Sequence, residues 1–230
     1  MSILKPKTRR PVLPIVGLVA LAGLLSACAS GADSDELPAM PFETVAMPTE
    51  TAPTATPGQQ LATGDIVALP QTDYDGTPDD VIETTVIGVA AGDESFWDRF
   101  DNGSEFAGNV PFFAVIQYRW VTGSVSAYST PLLRPLLDDG SEGDIVQREY
   151  FGAMTANTAC PFEVGRFDLE DDRGPNEYID CVLYTAPTGS TVVGLQWHNL
   201  GNLAFSEPDP EVNPFFVEPV TWDVVPIQPK

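Results

Sequence analysis

The chain has 230 residues, 11 Lys+Arg against 33 Asp+Glu, and a formal net charge of −22. Four of the basic residues (Lys5, Lys7, Arg9 and Arg10) fall in the first ten positions and no acid precedes Asp33, so the chain beyond that leader holds 7 basic and 33 acidic residues, a charge of −26. Such a surface excludes binding to nucleic acid or to an anionic membrane through charge, and 43% hydrophobic with 10% aromatic residues excludes a collagen-like or wholly disordered chain.

Residues 1–27 read as a lipoprotein signal peptide. A basic start is followed by an apolar stretch, Val12 to Leu25, too short for a comfortable membrane span, and then by Leu25-Ser26-Ala27-Cys28. Leu-Ser-Ala-Cys has the pattern of a bacterial lipobox: an aliphatic residue, small residues, then a cysteine whose thiol takes a diacylglyceryl group. Thr8-Arg9-Arg10-Pro11-Val12-Leu13 also resembles a twin-arginine export motif, which leaves the export route open. The expectation is a mature chain that begins at Cys28 and is anchored by lipid to the extracytoplasmic face of the cell membrane, with acyl chains such as palmitate contributing roughly 0.8 kcal/mol per buried CH₂.

With Cys28 consumed by lipid, Cys160 and Cys181 remain as a pair. An exported domain permits a disulfide between them, and closing a loop of about 22 residues stabilises by on the order of 3 kcal/mol in the chain-entropy model. The rival reading, a metal site, needs more ligands than these two thiols and the one histidine of the chain supply.

Residues 28–62 read as a lipidated cysteine followed by a disordered tether. Five prolines among Thr, Ala, Ser and Glu, with almost no aromatics, offer too little apolar surface to offset the entropy of ordering. As flexible coil such a segment spans roughly 30 Å, which would lift an acidic domain off an acidic lipid surface.

Residues 63–230 change texture to short aromatic and β-branched runs separated by Gly, Pro, Asp and Asn. Strands are expected at Asp65–Leu69, Val81–Val89 and Val110–Thr122, with weaker candidates at Val125–Tyr128, Ile145–Tyr150 and Phe162–Phe167. In Val110–Thr122 one parity carries Phe112, Ala114, Ile116, Tyr118 and Trp120 and the other carries Phe113, Val115 and Val121, so both faces read as buried and the strand as central. Ser95–Phe100 is the one plausible helical turn. Tyr178–Thr185 and Thr191–His198 flank Ala186-Pro187-Thr188-Gly189, which reads as a hairpin turn. Phe215–Val225 closes the chain, and Leu136–Asp144 and Asp168–Glu177 read as acidic loops. Many short strands in an exported chain predict an all-β, two-sheet sandwich with one disulfide.

The order of lipobox, Thr/Pro-rich segment, Gly64-Asp65-Ile66-Val67, the strand at Val110–Val121, Cys160-Pro161 and Cys181-Val182-Leu183-Tyr184-Thr185-Ala186-Pro187-Thr188-Gly189 resembles the immunoglobulin-like lipoproteins of actinobacteria. It is similar to the small secreted mycobacterial immunoprotective antigens and related domains of unknown function. The resemblance spans most of residues 64–225 and is best over Cys181–Trp197. It implies an immunoglobulin-like sandwich and a disulfide, and carries no active-site residues.

Candidate chemistry is sparse. His198 is the only histidine; Gly-x-Ser-x-Gly is absent, and the residue reads as an exposed or rim position on the polar parity of its strand rather than as part of a triad. Asp73, Asp75 and Asp79 surround a Gly/Pro turn, and Asp171, Asp172 and Glu177 lie in a second acidic loop. Calcium takes six to eight oxygens on a turning loop. Neither segment follows the EF-hand order, and acidic runs are expected throughout so acidic a chain, so no cofactor is expected, with these six residues as the calcium candidates. Phe96, Trp97 and Phe100 lie outside a clear strand; they read either as a plug closing one end of the sandwich or, if solvent-facing, as an apolar patch for a partner. The expectation overall is a non-enzymatic, membrane-anchored surface binding or interaction module with an unidentified protein or small-molecule partner. The alternative is a ligand- or calcium-binding accessory subunit of an envelope or transport complex.

Overall fold

A computed structural model of the chain describes residues 38–72, 78–100, 103–123, 130–146, 160–163, 176–199 and 213–228. Nine strands occur among them: β1 (Gln60–Ala62), β2 (Val67–Thr72), β3 (Pro78–Ala91), β4 (Asn109–Thr122), β5 (Leu133–Leu137), β6 (Asp144–Ile145), β7 (Glu177–Pro187), β8 (Val192–Trp197) and β9 (Val220–Asp223). They form a four-stranded sheet in the order β1-β9-β8-β5 and a five-stranded sheet in the order β2-β3-β4-β7-β6. The two sheets pack together, as an all-β sandwich requires. Cys28, the expected strand at Val125–Tyr128, and residues 147–150 and 164–167 of two further expected strands lie outside the described residues.

The strand at Asn109–Thr122 sits between β3 and β7, antiparallel to both, so neither edge nor face is free. Its even positions, Phe112 to Trp120, enter the core between the sheets with Tyr178, Tyr184, Leu195, Trp197 and Trp222. Its odd positions Phe113 and Val115 enter a second apolar cluster on the outer face, with Ile179, Cys181 and Leu183 of β7. β3 keeps both clusters supplied through a register shift between Val86 and Gly88. Before it Ile82 and Val86 face inward; after it Val89 and Ala91 do, so the extra residue exchanges the parity.

Pro187 to Gly189 makes a turn but not a hairpin. β7 is paired on both edges within the five-stranded sheet, whereas β8 pairs with β5 and β9 in the other. The turn therefore carries the chain from one sheet to its partner. Gly189 has a φ of 95°, a conformation that costs a side-chain-bearing residue strain, and the Thr188 amide donates to the Gly108 carbonyl at 2.9 Å. Turn residues encode a reversal of direction and leave open which strand the second arm will meet. Part of the expected acidic loop at Leu136–Asp144 likewise belongs to β5 and β6.

The outer face of the five-stranded sheet carries a further layer. Two short 3-10 helices, Glu94–Arg99 and Gly103–Phe106, set aromatic rings over its apolar part. The Cys160–Cys181 disulfide fastens a second segment to the same face, where Phe162 is 1% exposed. Residues 38–62, assigned to the tether by their composition, also pack on the sandwich: their first half crosses this outer face, while Ala55 and Leu61 enter the core between the sheets. The Ala55 amide donates to the Ala68 carbonyl and the Ala68 amide to the Pro53 carbonyl, capping the edge of β2. The strand at Gln60–Ala62 runs parallel to β9.

Candidate functional site

The aromatic trio is buried rather than presented. Phe96, Trp97 and Phe100 are 8%, 3% and 7% exposed, so they form a plug rather than a partner patch, and the plug lies on the outer face of the five-stranded sheet rather than at one end of the sandwich. Asp93 caps the turn by accepting from the Ser95 amide, and these Ser95 contacts hold its carboxyl below the usual range. Trp97 stacks on Phe106 at 4.3 Å and donates its indole N–H to the Asn109 carbonyl at 2.8 Å. The Arg99 guanidinium lies 5.0 Å above the Phe96 ring and closes the plug towards solvent.

Of the calcium candidates, Asp73, Asp75, Asp171 and Asp172 lie outside the described residues, as does the side chain of Asp79. Glu177 opens β7 opposite Arg119, whose Nη1 is 3.9 Å from its Oε1; its nearest charge is a cationic side chain. Among the described residues no three His, Cys, Asp or Glu side chains converge to hold a metal ion.

His198 is 9% exposed and not the open rim residue its strand parity suggests. Its Nε2 is 3.5 Å from Glu142 Oε1 and its Nδ1 is 3.5 Å from the Phe216 carbonyl; Glu142 in turn takes Arg134 at 2.9 Å. Asn213 donates to the carbonyls of His198 and Asn199, which draws the turn at Pro214–Phe216 over the ring. Desolvation pushes the imidazole pKa below its ordinary value, with Arg134 acting in the same direction and Glu142 and the Phe216 carbonyl opposing. No hydroxyl nucleophile stands beside the ring among the described contacts, and the arrangement reads as a locked corner of the four-stranded sheet.

The most developed polar site is one that no sequence motif singles out. On the outer face, pairing aligns Glu83 of β3, Arg119 of β4 and Glu177 of β7 in one row, and Thr85 and Gln117 in the next. The following rows turn apolar, with Val115 and Cys181, then Phe113 and Leu183. Glu83 is 0% exposed, Thr85 0% and Gln117 5%, so these polar groups are as deeply covered as the core.

They are covered by residues 42–52, laid across the sheet as a strap. Gln117 grips Val45 at both main-chain groups, its Oε1 accepting from the amide at 3.1 Å and its Nε2 donating to the carbonyl at 2.9 Å. Arg119 Nη1 donates to the Pro48 carbonyl at 2.5 Å, and Glu83 Oε1 accepts from the Ala52 amide at 2.6 Å. Arg119 also holds the second oxygen of Glu83 through Nε and Nη2. At the head of the strap Phe42 lies on the Cβ-less surface of Gly88, where an added methyl carbon would stand 2.3 Å from the ring, and meets Phe162 edge-on at 6.1 Å. The Glu163 amide donates to the Pro38 carbonyl at 2.8 Å, so the segment pinned by the disulfide also anchors the start of the strap.

A signal for this site exists in the sequence. Arg119 is a cation in the middle of the most apolar strand of a chain poor in cations, and Glu83 interrupts Val81-Ile82 and Thr84-Thr85-Val86. Buried charges are paired, which makes the two natural partners. The chain matches no protein-family model, no curated protein and no solved structure.

Proposed function

We propose that the protein is a diacylglyceryl-anchored lipoprotein on the extracytoplasmic face of the membrane, where its sandwich acts as a non-enzymatic binding module. The observation that carries this reading is the pairing of Cys160 with Cys181. A disulfide accords with an oxidising compartment, and of the three cysteines in the sequence it accounts for all but Cys28, placed at the end of the leader in Leu-Ser-Ala-Cys. Lipid attachment is the role that its position suggests.

Nine residues, 29–37, separate Cys28 from Pro38, the first residue described, which leads into the strap. Fully extended they reach about 30 Å, and as coil roughly 17 Å, so the anchored domain stays close to the lipid surface with its strap side nearest the anchor. We also infer an immunoglobulin-like sandwich, supported by the two-layer plan. Its departures from that pattern are specific: β2, β3 and β4 are antiparallel neighbours in chain order within one sheet, and the disulfide lies on the outer face rather than between the sheets.

Mass spectrometry of the mature N-terminal peptide tests the anchor. A diacylglyceryl adduct on Cys28 is expected, and Cys28→Ala should leave the precursor unprocessed or release the chain from the membrane fraction. Unchanged processing and membrane retention of that variant would overturn the reading.

A further inference from the structure

We propose that the polar half of the outer face of the five-stranded sheet is a peptide-binding groove, and that the strap 42–52 is its resident, exchangeable occupant. The proposal deepens the binding-module reading and depends on that part of it, but not on the lipid anchor.

Four hydrogen bonds join the strap to sheet side chains, and every one ends on a main-chain group of the strap: Val45 N and O, Pro48 O and Ala52 N. The sheet therefore reads backbone, which any extended chain presents in the same pattern. Side-chain selection comes from a single notch, the Gly88 surface filled by Phe42. A fifth polar group, Thr85 Oγ1, is buried in the same row as Gln117 and has no hydrogen-bond partner among the described residues. It offers a peptide one contact that the resident strap does not use.

The chemistry of the contact also favours release. Of the strap residues 42–52 only Ala52, at its end, is buried, whereas the rings of the aromatic plug on the same face are all buried. Lifting the strap exposes Glu83, Thr85, Gln117 and Arg119, which water can satisfy, together with the smaller apolar contact that Phe42 makes at its head; lifting the plug would expose a whole cluster of aromatic rings. A permanent cover is made most economically from apolar side chains, because a buried ion pair adds little net stability while fixing geometry and register. The polar set thus fits a site that must be recognised and vacated.

The partner is an extended segment of another protein carrying an aromatic residue three positions ahead of an aliphatic one, as Phe42 and Val45 are spaced. Charge complementarity makes that segment neutral or basic. The strap itself bears Glu43 and Glu50, and the domain around the groove is strongly acidic, so the resident is a weakened competitor for its own site.

The test uses the full chain and a fluorescent synthetic peptide spanning residues 38–52. Val45→Pro in the protein removes the strap amide that donates to Gln117 and leaves the sheet untouched. This chain should bind the native peptide about two- to tenfold more tightly than the unaltered chain does, because the cis competitor has lost a hydrogen bond. Adding Gln117→Ala should reverse the gain. A peptide with Glu43 and Glu50 replaced by lysine should bind more tightly still at low salt; equal or weaker binding would overturn the assignment of a basic partner. No saturable binding to the Val45→Pro chain, or binding indifferent to Gln117→Ala, would overturn the groove. Native-state hydrogen exchange on the unaltered chain gives a second reading should the proline variant not fold. The Val45 and Ala52 amides should exchange through a local opening, well ahead of the β4 amides. Exchange only through global unfolding would show the strap to be a fixed part of the fold and sink the proposal. The Cys28 adduct reads a different part of the molecule, so the two proposals can fail separately.

Discussion

Glu83 holds a carboxylate with no solvent contact, and its surroundings explain how the fold tolerates it. Arg119 neutralises it from the neighbouring strand, and the Ala52 amide occupies the remaining oxygen. Breaking such a pair by removing one partner typically costs about 3–5 kcal/mol, because the other charge is left buried, whereas exposed pairs such as Arg134 with Glu142 are worth roughly 0–1 kcal/mol. His198 is the residue whose burial has a pH signature. Its folded pKa is depressed, chiefly by desolvation, below the ordinary value of 6.5. Between the two values the unfolded chain binds more protons than the folded one, so stability rises with pH across that window. The contribution is complete above about pH 6.5 and is lost as pH falls through the folded pKa, with a slope no steeper than about 1.4 kcal/mol per pH unit. Urea unfolding at intervals from pH 7.5 to 5.5 should show the native chain losing more stability than His198→Gln. Parallel profiles for the two proteins would mean that the imidazole titrates alike in both states.

At the scale of elements, strand pairing and strap docking meet at Gly88. It follows the register shift that exchanges the faces of β3, and it presents bare backbone to Phe42. Gly88→Ala would place a methyl carbon 2.3 Å from that ring. The head of the strap must then lift, since β3 is fixed on both sides. Unfolding free energy should fall by about 1–3 kcal/mol, the usual range for overpacking, and proteolysis between Met40 and Pro48 should accelerate while the core strands stay protected. Cleavage at the native rate would show that Phe42 is not what holds the strap. The contrast between β4 and the strap also explains what could be read from the sequence. β4 declares itself because alternating side chains, not backbone, decide that it is central and covered on both faces. The strap is hidden for the opposite reason: its contacts run through amides and carbonyls, which every residue has, so its Pro/Thr composition reads as disorder. β5 is obscured by Pro135 in mid-run and by the acids that follow it. Pro187 to Gly189 announces a turn, but the partner of β8 depends on which edges are already occupied. Glu83 and Arg119 were legible as chemistry, a charge of each sign in a buried strand, once the two strands are set side by side.

For the whole molecule, the acidity that excludes anionic partners also sets how the fold responds to salt. Beyond the leader there are 7 cations for 33 anions, and Arg119, Arg134 and Arg99 are engaged with Glu83, Glu142 and Phe96. Most carboxylates therefore have no cation to offset them, and their mutual repulsion favours expansion of the chain. Screening reduces that repulsion: the Debye length falls from about 30 Å at 0.01 M to about 3 Å at 1 M salt. The melting temperature should accordingly climb with NaCl over this range, in contrast to a fold held by surface ion pairs, which salt weakens. Calcium chloride at matched ionic strength separates collective charge from a defined site. Loops that are merely solvated respond to both salts alike. A calcium site built on Asp75 or Asp171 adds a further rise at millimolar calcium that Asp75→Ala or Asp171→Ala abolishes. If melting were indifferent to NaCl, the repulsion would already be relieved within the fold, and the acidic surface would have to be read as locally neutralised rather than as one extended field.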